Sequence, residues 1–310
     1  MDPAIVLFGF GIGVLVGMTG MGGGSLMTPL LILIFGTQPT TAIGTDIFYS
    51  AITKMVGGWR HLRMKTVNME LVKWLSMGSV PAAVIGVAMV SLLERHISED
   101  RLNSLVYAVL GGTLLMVGFV TLSRALILRG LVDERDRFAV ERRHKVAAVV
   151  IGATTGFIIG ITSAGSGTVI AILLIAVYRL SPKKVVGTDV VHAAILLSAA
   201  AIAHWVGGNI DFGLAGNILV GSLPGVVIGA ALSSRAPQGF IRTALGVVLL
   251  ASGIVTIQKG DPTVWPIAAA VAAVGMGGVL AAPRLLERRR RREREQAADQ
   301  ARKLTPDATG

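Results

Sequence analysis

Apolar runs fill most of the stretch from residue 4 to residue 283, each ended by glycine, proline or charge. Several reach the roughly 20 residues that cross a bilayer. A chain that is 53% hydrophobic and 15% charged, with a mean hydropathy of +0.70, has too little polar surface to coat a water-soluble body of 310 residues. The reading is an all-α integral membrane protein. The clearest predicted spans are residues 102–122, 185–206, 212–232, 241–257 and 264–282.

The formal charge of +11 sits mostly in loops between these spans and in the tail. That pattern records membrane orientation, and no basic face interleaved with aromatics points to nucleic acid. Zero cysteines exclude disulfides, thiolate metal ligands and a cysteine nucleophile. No basic segment or small-residue cleavage site precedes Gly22-Gly23-Gly24, so the N-terminus is read as part of the fold. No close His/Asp/Glu cluster, H-E-x-x-H motif or P-loop is present, and neither metal, cofactor nor enzymatic chemistry is expected.

Sliding the sequence by 143 residues aligns Gly17–Gly86 with Gly160–Gly229 without a gap, matching about 21 of 70 positions. The motif Gly17-x-Thr19-x-x-Gly22-x-Gly24 returns as Gly160-x-Thr162-x-x-Gly165-x-Gly167. Pro39 with Gly44-Thr45-Asp46 returns as Pro182 with Gly187-Thr188-Asp189, and His61 returns as His204. Chance matching of apolar sequence would favour Leu, Val and Ala, so duplication is the better reading. Loop charges reverse between the copies. Lys54, Arg60, Arg63, Lys65 and Lys73 face a loop that offers only Asp211, whereas uncharged residues 36–42 face Arg179, Lys183 and Lys184. The positive-inside rule then gives the copies opposite orientations, as in inverted-repeat transporters.

Inversion needs an odd number of crossings per copy. Each copy opens with a long apolar region, residues 4–35 and 146–178, split by glycines into arms of about 14 residues. Each arm would cover about 20 Å, less than the bilayer core, which predicts a re-entrant hairpin followed by three full spans. The expected organisation is a first repeat at 1–128, a basic cytoplasmic linker at 129–145 and a second repeat at 146–260. An additional helix at 261–283 and a basic tail at 284–310 follow. That makes about seven full spans plus two hairpins, or eight or nine helices by other counts. The run Arg288–Arg292 places the C-terminus in the cytoplasm and against anionic lipid.

Backbone that leaves the helix at bilayer depth is tolerated only inside protein or beside a water-filled cavity. The two breaks are therefore the candidate substrate path. Gly22, Gly23, Gly24, Gly165 and Gly167 allow tight turns and close approach of a ligand. The arms after them aim free N–H groups and the positive dipole end at the tips, a site for a small anion. Hydroxyls of Thr19, Ser25, Thr162, Ser163, Ser166 and Thr168 add donors. The alternative is that the glycines merely let helices pack. Asp46 and Asp189 lie a turn or two inside the next span, where they are either proton-coupling carboxyls or helix N-caps or interfacial residues near Pro39 and Pro182. His61, Arg60 and Arg63 read as charge at the cytoplasmic surface, and His192 and His204 as hydrogen-bonded structural histidines.

The glycine-rich break Gly17-x-x-Gly20-x-Gly22-Gly23-Gly24-x-x-x-x-Pro29, then Ala42-Ile43-Gly44-Thr45, then an Arg60-His61-Leu62 loop, resembles the TauE/SafE-type sulfite exporter family of bacterial inner-membrane permeases. The resemblance covers roughly residues 3–257. It implies a permease for a small sulfur-containing or organic anion such as sulfite, sulfoacetate or thiosulfate, coupled to protons. A channel for the same ions and a non-transport assembly factor are the alternatives.

Overall fold

The computed structural model describes residues 2–19, 24–126, 142–165, 167–178, 180–233, 238–274 and 277. These form α1 Pro3–Thr19, α2 Gly24–Ile34, α3 Pro39–Arg63, α4 Met69–His96, α5 Glu99–Leu126, α6 Arg142–Thr162, α7 Thr168–Tyr178, α8 Pro182–Val206, α9 Phe212–Ser233, α10 Gln238–Gln258 and the 3-10 turn Pro262–Val264, which continues as helix to residue 274. Pro39 and Pro182 start α3 and α8, where a missing N–H costs nothing. Asn68 caps α4 by accepting the Leu71 N–H at 3.1 Å. Five helical stretches are long and apolar enough to cross a membrane: Met69–His96, Glu99–Ser123, His144–Thr162, Lys183–Val206 and Phe212–Leu232. Shorter apolar helices are Pro3–Met18, Ser25–Ile34, Thr243–Gln258 and Pro262–Val274. The last of these covers the start of the predicted terminal span, while the tail with Arg288–Arg292 lies outside the described residues.

The predicted arms of equal length are not what forms. α1 and α2 have 17 and 11 residues, and α6 and α7 have 21 and 11. At 1.5 Å per residue α6 is about 31 Å long, enough to cross. It gains length at its start, where the predicted linker's last residues are already helical and Lys145 pairs with Glu70 at 3.3 Å. Nor do the glycines in its apolar run break it. Gly152, Gly156 and Gly160 lie against the backbone of Leu75, Ser79 and Ala83 on α4, leaving no room for a Cβ.

Interhelical packing repeats itself. α1 lies along α9, with Gly9, Gly13 and Gly17 against Ile218, Ser222 and Val226. Adding 143 to the α1 positions gives Gly152, Gly156 and Gly160. Subtracting 143 from the α9 positions gives Leu75, Ser79 and Ala83. α3 packs on α8, and the two run antiparallel. The loop after α3 reaches the start of α8, where the Asn68 N–H donates to Thr188 Oγ1 at 3.0 Å; the loop after α8 reaches the start of α3, where the Asp211 N–H donates to Thr45 Oγ1 at 3.0 Å. α5 and α10 are also antiparallel, since Gly111 meets Gly253 while Gly118 meets Gly246. Outward faces carry Leu7, Met77, Ile85, Val227 and Val247, a surface suited to lipid. Inside, Met27, Leu31, Ile47, Tyr49 and Leu114 are fully buried around the short helices.

Candidate functional site

The second break is a left-handed turn. Ser163, Gly165 and Gly167 have φ of 60°, 101° and 98°, and Thr162 closes α6 by donating to the Ile158 carbonyl at 2.7 Å. A non-glycine residue in this region costs about 1–3 kcal/mol, and it persists where surrounding contacts demand it. At Ser163 the contact is with α3: its Oγ donates to Asp46 Oδ2 at 2.6 Å.

Asp46 is fully buried. Thr28 on α2 donates to the same Oδ2 at 2.6 Å, and Ser50, one turn along α3, donates to Oδ1 at 3.1 Å. No Lys or Arg among the described residues is ion-paired with it. The first turn of α2 meets the second break directly, because the Gly165 N–H donates to Ser25 Oγ at 3.3 Å. Of the predicted site residues, the structure thus gathers Ser25, Asp46, Thr162, Ser163 and Gly165. Gly167 immediately precedes Thr168, the first residue of α7, while Thr19 ends α1 and Gly24 begins α2. Gly22, Gly23 and Ser166 lie outside the described residues. The sequence reading missed Thr28 and Ser50. Their signal was spacing: Ser50 stands four residues after Asp46, and Thr28 three after Ser25, each one helical turn.

Neither aspartate is a helix cap, since Gln38 and Ser181 hold those positions. Asp189 has a different environment, with Lys54 Nζ 3.7 Å from its Oδ2. The residues around Asp46 explain the difference. At the 143-residue offset Thr28 becomes Ala171, Ser50 becomes Ala193, Ser163 becomes Gly20 and Lys54 becomes Leu197. Lys54 was expected among loop charges, but α3 continues to Arg63 and buries it, because Gly57 and Gly58 pack against Val190 and Val191 instead of ending the helix. For the same reason Arg60-His61-Leu62 is the last turn of α3, not a loop, and His61 Nδ1 lies 2.9 Å from Thr66 Oγ1. His192 Nε2 shares a 2.8 Å hydrogen bond with Ser79 Oγ, and His204 Nε2 donates to the Gly160 carbonyl at 3.1 Å, the structural roles expected. Among the described residues no group of three metal-ligating side chains forms.

Residues 5–256 match the sequence profile of the family described as sulfite exporter TauE/SafE. The probable membrane transporter protein YjnA of Bacillus subtilis (strain 168) is 37% identical over 254 residues, covering 82% of this chain and 99% of its own. YdhB of the same organism, also a probable membrane transporter protein, is 27% identical over 256 residues, covering 82% and 99%. The probable membrane transporter protein MJ0441 of Methanocaldococcus jannaschii is 24% identical over 197 residues, covering 61% and 66%. No solved structure matches the chain. A bundle of long apolar helices joined to a profile match over most of its length has one reading: the chain belongs to the TauE/SafE sulfite exporter family of multi-pass membrane transporters.

Proposed function

We propose that this chain is a secondary transporter that moves a small sulfur-containing or organic anion, such as sulfite, sulfoacetate or thiosulfate, across the inner membrane together with protons. It works by alternating access of two inverted repeats, with its C-terminus in the cytoplasm. The observation that carries the reading is the meeting of α2, from the first half, with the helix break of the second half on a single buried carboxyl, Asp46. Inversion is supported by the antiparallel pairs α3 with α8 and α5 with α10, whose members occupy matching places in the two halves.

The chemistry follows from the donors. α2 and α7 begin at the breaks, so their first N–H groups and positive dipole ends are available to an anion. While Asp46 is ionised, the hydroxyls of Thr28, Ser50 and Ser163 are spent on it, and its charge repels an anion. A proton on Asp46 removes the repulsion and frees hydroxyl donors for the substrate. Proton and anion therefore bind as a pair, and rocking one half against the other exposes them on the opposite side. The test is uptake and efflux of labelled sulfite, sulfate, thiosulfate and sulfoacetate by the protein in liposomes. Saturable flux that an inward proton gradient accelerates is expected; ohmic, non-saturating current would make it a channel and sink the carrier.

A further inference from the structure

Asp46, Ser50 and Lys54 recur every four residues along α3 and so share one face, with Lys54 about 12 Å along the axis from Asp46. Lys54 is 6% exposed. Its ammonium faces Asp189 at 3.7 Å, well beyond the roughly 2.7–2.9 Å of a charge-assisted hydrogen bond. Among the described residues its N–H donors make no hydrogen bond at all. A buried ammonium held by charge alone, with donors unspent, is a poor structural tie, because desolvation opposes the Coulombic gain. It is a good anion ligand. We infer that Lys54 is a second binding station on the anion path, its charge held by Asp189 when no anion is present and turned to the anion on arrival. The inference rests on the transport reading above. It also makes the two halves unequal, since Leu197 stands at the matching place in the second half.

The test compares wild type with Lys54→Gln, Lys54→Arg and the double variant Lys54→Gln/Asp189→Asn in liposomes, reading half-saturating concentration and maximal rate for labelled sulfite and thiosulfate. Loss of a charged donor to the anion should raise half-saturation about tenfold or more in Lys54→Gln. Lys54→Arg should stay near wild type, and the double variant should bind as weakly as Lys54→Gln. If the double variant recovers wild-type half-saturation, Lys54 only neutralises Asp189 and the inference falls. Should Lys54→Gln fail to assemble, the double variant, which removes both members of the pair, decides by the same two outcomes. A wild type that moves none of the anions overturns the transport reading, and the station falls with it.

Discussion

At Asp46 three hydroxyls converge from three elements on a carboxyl with no cation ion-paired to it among the described residues. The proposed coupling then has a sign. As pH rises and the carboxyl loses its proton, wild-type uptake should fall, because the ionised group repels the anion. Asp46→Asn cannot titrate, so its flux should vary far less with pH; profiles that overlay wild type would remove the proton role. Removing one donor by Thr28→Val should cost about 1 kcal/mol of stability, measured by thermal unfolding in detergent, and let uptake persist to higher pH than in wild type, because the ionised carboxyl loses a hydrogen bond that favours it. Gly165→Leu places a side chain at φ 101° beside Ser25, and should abolish flux while the protein still reaches the membrane. Unchanged flux would mean that the breaks are not the path. Asp46 itself was legible in the sequence as a polar residue in an apolar span. Thr28 and Ser50 were not, because a hydroxyl in an apolar helix is common and acquires meaning only from what it faces.

Among the helices, the glycines divide by role. The sequence offered turn-making and packing as alternatives for one repeated motif, and the structure uses both within it. Gly17 and Gly160 pack, against Val226 and Ala83, whereas Gly165 and Gly167 turn the chain. The two uses look alike in sequence because both need the absence of a Cβ. Only the position of a neighbouring helix tells them apart. Gly13→Val and Gly156→Val force α1 off α9 and α6 off α4, and overpacking of this kind costs about 1–3 kcal/mol or more. Gly216→Ala meets no atom within 4 Å and should be neutral or slightly stabilising in thermal melts. Equal melting temperatures for all three would refute the packing account. Helix ends were misjudged for a related reason: residues 142–145 and 57–63 looked like linker and loop, but the polar and glycine-containing turns continue helices that neighbours hold in place.

For the whole molecule, the basic residues around the α3–α4 connection lie at the same end as the start of α8, which carries Lys183 and Lys184. The α8–α9 connection, next to the start of α3, has only Asp211 as a charge. A chain without cysteine suits single-site labelling. An impermeant thiol reagent should reach Gly208→Cys from outside intact cells and Lys65→Cys only after permeabilisation; labelling of both from one side would defeat the inverted arrangement. The sequence by itself determined the apolar solvent and the recurrence of the Gly, Pro, Thr and Asp motifs at one offset, because these rest on hydropathy and residue order, which are properties of the chain. Only the tertiary structure decided that Asp46 meets α2 and the second break, that Asp189 instead faces a buried Lys54, and that the arms are unequal. Those are matters of distance between residues far apart in sequence, set by how closely glycine-lined helices approach.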